Sequence, residues 1–232
     1  MKPKGVFIAG TDTGIGKTHA ACSLLHALRA ANLRATGMKP VASGCEATPD
    51  GLRNADALAL IAASDPRPEH YEDCNPFAFA EPVSPHIAAA ETEQEVTLPP
   101  IEDAYDRIAL MRGNAIVVEG VGGWLAPISD SLRANAIPRQ LQLPVILVVG
   151  LKLGCLNHAQ LTARAIHADG CELLGWIGNR IDPDMLRPKE NLVTLNRALG
   201  VPCLGVIAHG VAPVSAAASL REAADAVGSL GP

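Results

Sequence analysis

The chain has 232 residues, which is enough to bury a substantial core without disulfides or bound metals. A net charge of −5, a sequence pI near 5.8 and the lack of any run of basic residues argue against a surface that binds nucleic acid or an anionic membrane. Six cysteines without a C-x-x-C pair, no visible signal peptide and no stretch apolar enough to span a membrane favour a cytoplasmic protein with reduced thiols.

Short apolar runs alternate with longer helical patterns along the chain. Runs that are apolar on both faces predict buried parallel strands at 5–10, 34–43, 114–120, 143–150, 172–179 and 202–209. Helices are expected near 17–31, 54–63, 101–112, 157–169, 188–199 and 215–227. This alternation predicts a single α/β domain over residues 1–232, built on a doubly wound, mostly parallel sheet.

Two regions depart from the alternation. Residues 64–100 are rich in proline but carry Tyr71, Phe77 and Phe79 close together, which is unusual for a flexible linker. We therefore expect an ordered but irregular excursion near the functional site. Residues 228–232 are expected to fray at the end of the last helix.

A glycine-rich stretch follows the first predicted strand. Residues 10–18, GTDTGIGKT, almost match the phosphate-loop pattern of glycine, four free positions and Gly-Lys-Ser/Thr, but Thr11 stands at the first position. Backbone N–H groups of residues 13–18 can converge on an anion at the start of the following helix, while Lys17 adds a charge and the Thr18 hydroxyl suits Mg²⁺. The alternative is a plain strand-to-helix turn with a solvated lysine. The context favours a P-loop NTPase-like fold.

Charged residues stand at the ends of two further strands. Lys39 closes the second predicted strand, at the carboxyl edge where open parallel sheets bind ligands, and its ammonium could neutralise a transferring phosphoryl group. A surface lysine that extends into solvent is the alternative. Glu119 ends another strand, where phosphate-loop enzymes place a carboxylate that coordinates Mg²⁺. On local sequence alone, Asp56 is explained by capping or stabilising a helix N-terminus.

Other polar residues indicate no further chemistry. Ser43 lies in a turn, where serine is more often structural than catalytic. His19 and His26 stand seven residues apart and are expected to lie on a helix face. The sequence shows no histidine ligand cluster and no Ser/His/Asp arrangement.

Six sequence blocks together resemble the dethiobiotin synthetase family. They are GTDTGIGKT, GMKPVASG, GLRNADALAL, NPFAFAEPVSPH, VVEGVGGW and LPVILVVGLKLGCLNHAQLT, and they follow in the family's order from residue 5 or so to residue 180. The combination of KPVASG, EGVGGW and KLGCLNHA is specific, whereas the final fifty residues resemble the family only loosely. The family carries the same GTDT-x-x-GKT loop, so the unusual loop is itself part of the resemblance.

The resemblance implies a reaction of biotin biosynthesis. In it 7,8-diaminononanoate (7,8-diaminopelargonate) reacts with CO₂ and ATP to give dethiobiotin, ADP and phosphate. One substrate amine would form a carbamate whose oxygen attacks the γ-phosphate, and the other amine would close the ureido ring by expelling phosphate. No protein nucleophile is required, so catalysis would rest on positioning and charge stabilisation.

The resemblance also implies roles for residues at matching motif positions. Lys17, Lys39 and Thr13 would be catalytic. Mg²⁺ would be held by Thr18, Asp56 and Glu119. The substrate would be bound by Thr13, Lys39, Ser43, Gly154, Cys155, Leu156 and Asn157. The nucleotide would be bound by Gly14, Ile15, Gly16, Lys17, Thr18, Asp56, Glu119, Gly120, Val121, Gly122, Asn179 and Arg180.

The family resemblance further implies a homodimer with the active site at the subunit interface. Residues 154–157 would reach the substrate carboxylate of the partner subunit, and Asn179 would face the nucleotide base. Two departures from the family pattern affect base recognition. Gly14 occupies a loop position that is often acidic, and Arg180 follows Asn179 where the family often has Asp.

Two other functions are alternatives. A glutamine-dependent cobyrinate amidase would need a glutaminase domain, for which we expect no space in 232 residues. A partitioning or septum-positioning ATPase switch usually carries Lys-Gly-Gly before Gly-Lys-Thr, whereas Asp12-Thr13-Gly14 stands here. Dependence of ATP hydrolysis on the diamine and bicarbonate would separate the switch from the synthetase.

Overall fold

A six-stranded parallel sheet forms the centre of the fold. The computed structural model describes residues 4–92, 94–111 and 113–231. The strands in these ranges are β1 (Lys4–Gly10), β2 (Ala35–Met38), β3 (Val41–Ala42), β4 (Glu46–Thr48), β5 (Gly51–Arg53), β6 (Phe77–Ala78), β7 (Ala115–Glu119), β8 (Val145–Gly150), β9 (Leu173–Asn179) and β10 (Cys203–Ile207). The helices are α1 (Lys17–Ala30), α2 (Ala55–Ala63), α3 (Tyr71–Cys74), α4 (Pro85–Glu91), α5 (Leu98–Leu110), α6 (Ala136–Leu141), α7 (Cys155–Ala168), α8 (Pro188–Leu199), α9 (Pro213–Ala216) and α10 (Arg221–Gly228), with a 3-10 turn at Ala217–Leu220.

The main sheet has the doubly wound order β10-β9-β8-β1-β7-β2, and every neighbouring pair is parallel. β7 and β8 are buried along their whole length because helices cover both faces. Phe7 and Trp176 belong to the core on one face, and Ile8 and Val117 to the core on the other. The predicted fold class is confirmed. Winding changes direction beside β1, so the carboxyl ends of β1 and β7 border the crevice where such sheets bind ligands.

The strand predicted over 34–43 is divided in two. β2 ends before Lys39, whose backbone N–H donates a hydrogen bond to the Cys74 carbonyl with an N···O distance of 2.8 Å. Pro40 follows and has no N–H to continue the strand ladder. The chain then changes partner, because β3 lies parallel to β6 and outside the main sheet. Lys39 is thereby placed just past the carboxyl edge of β2.

The predicted excursion over 64–100 contains more regular structure than expected. It holds α3, β6 and α4, and α5 begins before residue 101. Proline in the first turn suits the starts of α4 and α5, since the missing N–H would have no partner there. The β4–β5 hairpin and α6 were not predicted. β4 is exposed along its length, so its sequence carries no apolar periodicity.

The helix predicted over 215–227 is broken into α9, a 3-10 turn and α10, all of which contact α1. The turn passes close over β10, where a side chain on Gly205 would collide with the carbonyl of Ser219. A straight helix could not follow this path. The fraying predicted for 228–232 stays a prediction, because Pro232 lies outside the described residues.

Two further observations concern the thiols and the helices. All six cysteines lie within the described ranges, and each carries a free thiol. Among the helices of those ranges, none combines the length and the apolar character needed to cross a membrane. The assignment of residues 1–232 to a single domain stays a prediction.

Candidate active site

The glycine-rich loop joins β1 to α1 and presents the amino end of α1 to a cavity. Gly14 and Gly16 adopt left-handed backbone angles, with φ of 72° and 81°. A side chain at Gly16 would also collide with the Asn179 amide, so glycine is required there on two grounds. Asn179 Nδ2 donates a hydrogen bond to the Ile15 carbonyl at 2.9 Å, which braces the loop against β9. The unpaired N–H groups at the start of α1 are thus oriented to bind an anion.

Lys17 begins α1, and only 7% of the residue is exposed. Its Nζ donates to the Asp12 carbonyl at 2.8 Å, so the ammonium folds back over the loop. Burial, together with the positive charge of Lys39, lowers the pKa of Lys17 to about 8. A bound polyphosphate would place further negative charge beside Lys17 and so favour its charged form.

Lys39 lies in a buried cluster of opposite charges. Its Nζ donates to Glu119 Oε1 at 2.6 Å and to Asp56 Oδ2 at 3.1 Å. The side chains of Lys39 and Glu119 are 4% and 1% exposed, which excludes the alternative of a surface lysine. Burial by itself would lower the pKa of Lys39, but the two carboxylates outweigh burial and raise it. The ammonium is therefore held charged beside the phosphate loop.

Asp56 does not cap α2. That role belongs to Asn54, whose Oδ1 accepts hydrogen bonds from the N–H groups of Asp56 at 3.0 Å and Ala57 at 3.2 Å. Burial would raise the pKa of Asp56, but the charge of Lys39 outweighs burial and lowers it. Asp56 is therefore an ionised carboxylate that faces Lys39.

The oxygen atoms around Lys39 suit a magnesium ion. Thr18 Oγ1 donates to Glu119 Oε1 at 2.8 Å, and Glu119 Oε2 is buried without a hydrogen-bond partner among the described residues. Mg²⁺ is typically bound through one or two carboxylates together with water and phosphate oxygens, so Thr18, Glu119 and Asp56 fit the ion. No group of three or more His, Cys, Asp or Glu side chains that could hold a metal occurs in the described ranges. Further ligands would come from the nucleotide and water.

A cavity of about 750 Å³ opens between the phosphate loop, the ends of β2 and β7, and the segment 82–85. The predicted site residues that line it are Thr13, Gly14, Gly16, Lys17, Thr18, Lys39, Ser43, Asp56, Glu119, Val121 and Gly122. Ser43 Oγ is a further buried oxygen that has no hydrogen-bond partner in the part of the chain that the structure describes. Ile15 and Gly120 contribute carbonyls outside this lining, which accept hydrogen bonds from Asn179 and, at 3.4 Å, from Lys39.

Several cavity residues were not predicted. They are His19, Ala42, Asn54, Pro82, Val83, Ser84, Pro85, Gly123 and Ala126. The EPVSPH block was the available signal for 82–85, although its prolines indicated only irregular structure. His19 lies on a face of α1, as predicted, and that face also lines the cavity. Within the described ranges, His19 Nε2 is buried without a hydrogen-bond partner, and burial lowers the pKa of His19.

Two groups of predicted residues do not line this cavity. Residues 154–157 form the start of α7, and the neighbouring Leu153 is 95% exposed. Asn179 and Arg180 lie at the end of β9. The predicted contact between Asn179 and a nucleotide base stays a prediction; in this structure the amide nitrogen donates to the Ile15 carbonyl of the phosphate loop.

Comparison with known proteins adds sequence and structural relatives. An AAA domain family model matches residues 4–210. The ATP-dependent dethiobiotin synthetase BioD of Xanthomonas euvesicatoria pv. vesicatoria is 54% identical over 207 residues, covering 89% of this chain and 92% of that protein. The protein of the same name from Xylella fastidiosa is 48% identical over 228 residues, covering 97% of this chain and 100% of that protein.

The solved structures that resemble this chain do so in fold. The MinC:MinD cell division protein complex of Aquifex aeolicus contains a chain with a TM-score of 0.61 at 13% identity, covering 99% of this chain and 97% of that one. A ParA family ATPase from Chlorobium tepidum has a TM-score of 0.54 at 13% identity, with 97% of each chain covered. Identities this low carry no information about the reaction.

Proposed function

We propose a residue-level route for the reaction of this chain, which belongs to the AAA domain family and to the ATP-dependent dethiobiotin synthetases. The protein is an ATP-dependent ligase of biotin biosynthesis that forms dethiobiotin. The observation that carries the route is the placement of two ammonium groups, Lys17 and Lys39, in one cavity with the carboxylates of Glu119 and Asp56.

The proposed substrates are 7,8-diaminononanoate, CO₂ and ATP. One amine adds to CO₂ and loses a proton, which gives a carbamate. A carbamate oxygen then attacks the γ-phosphorus, the bond to the bridging oxygen breaks, and ADP leaves. The second amine attacks the carbonyl carbon of the resulting carbamic-phosphoric anhydride, loses a proton and expels phosphate, which closes the ureido ring.

In each step the protein needs to supply positive charge and to position the substrates, and no protein nucleophile is required. The N–H groups of the phosphate loop and Lys17 would hold the phosphates. Lys39 would stabilise the negative charge that is shared by the carbamate and the transferring phosphoryl group. Thr13 lines the same cavity, and the unpartnered hydroxyl of Ser43 is available to a polar group of the diamine.

Magnesium would be held by Thr18, Asp56 and Glu119. When bound, it would neutralise phosphate charge during the transfer. The buried and unpartnered Glu119 Oε2 supports this assignment, because a buried carboxylate oxygen otherwise lacks compensation for its lost hydration.

We further propose a cytoplasmic homodimer in which each active site is completed by the partner subunit. Residues 154–157 do not line the cavity of their own chain, yet they form the start of α7, where N–H groups favour a carboxylate. The exposed Leu153 next to them would lose its contact with water at an interface. The carboxylate of the diamine is the group that this helix start would bind.

The proposed function is tested by measuring dethiobiotin formed from diaminononanoate, bicarbonate, ATP and Mg²⁺, with ADP release followed in parallel. We expect one ADP per dethiobiotin and little ADP release when either the diamine or bicarbonate is omitted. ATP hydrolysis that is independent of both would instead indicate an ATPase switch. Lys17→Ala should abolish both signals, whereas Lys189→Ala, a change within α8, serves as the matched lysine control.

A further inference from the structure

A chain of short hydrogen bonds connects the proline-rich excursion to the charged cluster of the active site. The hydroxyl of Tyr71 accepts a hydrogen bond from the N–H of Asn54 at 2.8 Å and donates to Asn75 Oδ1 at 2.8 Å. Asn75 Nδ2 then donates to the carbonyl of Lys39 at 2.7 Å and to the carbonyl of Phe77 at 3.0 Å. Tyr71 and Asn75 thus contact the backbone on both sides of the cluster.

The donor and acceptor of each hydrogen bond that Tyr71 and Asn75 make are fixed. Two carbonyls face one end of the Asn75 amide, so that end must be the donor NH₂ and the other end must be the acceptor oxygen. The Tyr71 hydroxyl must therefore donate to Asn75 and accept from the N–H of Asn54. Burial raises the pKa of Tyr71 to about 12, which keeps this hydroxyl protonated. The Arg53 guanidinium lies over the face of the Tyr71 ring, 4.2 Å from its centre, and this contact further restrains the ring.

The chain of contacts closes into a ring through the active site. Asn54 caps α2 and so fixes the backbone of Asp56, as described above. The Asp56 carboxylate accepts from Lys39 Nζ at 3.1 Å. The order of contacts is therefore Lys39, Asn75, Tyr71, Asn54 and Asp56, returning to Lys39. We refer to these five residues as the positioning ring.

The ring is placed where the sheet no longer controls the backbone. Lys39 follows the last residue of β2, and Pro40 contributes no N–H to a ladder. Its backbone is instead held by α3, through the Cys74 carbonyl, and by Asn75, which is 2% exposed. A shift of this backbone would move the Lys39 ammonium relative to Glu119 and Asp56.

We propose that Tyr71 and Asn75 are positioning residues of the synthetase reaction, which set the placement of the Lys39 ammonium relative to the Asp56 carboxylate. The proposal rests on the proposed function of that cluster. Tyr71 acts through Asn54 on the carboxylate, and Asn75 acts through the backbone on the ammonium. Partners that orient a metal ligand or a catalytic group commonly affect metal affinity or activity by about 10- to 100-fold when they are replaced.

The test compares Tyr71→Phe with Tyr105→Phe. Tyr105 is the second tyrosine of the chain; it is buried, whereas Tyr71 is half-buried, and its hydroxyl lies beside Gly5 at the start of β1, at the end of the sheet away from the cavity. The two variants therefore lose the same atom at different places. We would measure kcat for dethiobiotin formation, the Mg²⁺ concentration for half-maximal ADP binding by calorimetry, ADP affinity in EDTA, and the unfolding temperature.

For Tyr71→Phe we expect kcat to fall by at least about tenfold and the Mg²⁺ half-saturation concentration to rise by about tenfold. ADP affinity in EDTA should stay within about twofold, because the phosphate loop is not part of the ring, and Tyr105→Phe should leave all three values within about twofold. If Tyr71→Phe does not fold, Asn75→Ser is judged by the same criteria.

Several results would overturn the proposal. The first is a Tyr71→Phe variant whose kcat or Mg²⁺ half-saturation concentration stays within about twofold of the parent value. The second is an equal decrease in kcat in Tyr71→Phe and Tyr105→Phe. The third is a decrease in ADP affinity in EDTA that is large enough to explain the change in Mg²⁺ half-saturation. A parent protein that forms no dethiobiotin would refute the proposed function instead. The Mg²⁺ dependence of ADP binding would still test the ring in that case, because it requires no turnover.

Discussion

Replacement of Lys39 by methionine is expected to destabilise the fold as well as stop the reaction. The methionine side chain has nearly the length of lysine but removes the charge that Glu119 Oε1 meets at 2.6 Å. Glu119 is 1% exposed, so water cannot replace the lost partner, whereas Asp56 is 46% exposed and can be hydrated. Breaking a buried pair by removing one partner typically costs about 3–5 kcal/mol. We expect a loss in this range, mostly from the stranded Glu119 carboxylate.

The measurement is the free energy of unfolding in urea, in EDTA and without nucleotide, so that Mg²⁺ cannot replace the missing charge. Lys152→Met is the control, because Lys152 and its partner Asp12 are 40% and 48% exposed and 3.6 Å apart, a pair expected to contribute about 0–1 kcal/mol. The double variant Lys39→Met/Glu119→Gln should recover most of the stability and none of the activity. A decrease in unfolding free energy below about 1 kcal/mol in Lys39→Met would refute the view that this substitution leaves the Glu119 carboxylate buried without a compensating positive charge.

Three further expectations follow from the same cluster and its surroundings. Asp56→Asn and Glu119→Gln should each raise the Mg²⁺ concentration for half-maximal initial rate, because hard cations prefer carboxylate oxygen; an unchanged value in both would exclude a shared ion. Inactive Asn157→Ala and Lys17→Ala subunits, when mixed, should recover up to about a quarter of full activity if sites are shared between subunits, and no recovery after verified exchange would indicate a site built from one chain. Asn179→Ala should lower kcat/KM for ATP, CTP and GTP by similar factors, because the Asn179 amide nitrogen donates to the Ile15 carbonyl of the phosphate loop. A decrease in kcat/KM for ATP alone would show that Asn179 recognises the base.

Residues whose positions follow from the sheet were predictable from the sequence. Glu119 ends a strand that is apolar on both faces, so its place at the carboxyl edge follows from counting residues along that strand. Lys17 and Thr18 follow from the loop motif in its strand and helix context. In each case a local pattern fixes both the element and its end, and the parallel sheet then brings the ends together.

Residues positioned by side-chain packing could not be predicted in this way. The orientation of His19 depends on which face of α1 meets the cavity, and the i, i+7 spacing to His26 is equally consistent with an exposed face. Likewise, Asn54 could be recognised as a helix cap only if α2 was known to begin at Ala55 and not at Asn54 itself. The helix boundary thus decides which residue caps α2, whereas Asp56 lies in its first turn with either boundary.

The excursion, more than the main sheet, places the charge that the reaction needs. The sheet brings the phosphate loop and Glu119 together, but β2 ends before Lys39, and the backbone of Lys39 is held by Cys74 and Asn75. The same excursion continues into 82–85, which forms part of the cavity wall. One segment thus sets the position of the ammonium and part of the boundary of the substrate space, so a change in its path would alter both together. Its prolines and buried aromatic residues are consistent with this role, because a segment that positions a charge to within a fraction of an ångström has to be rigid.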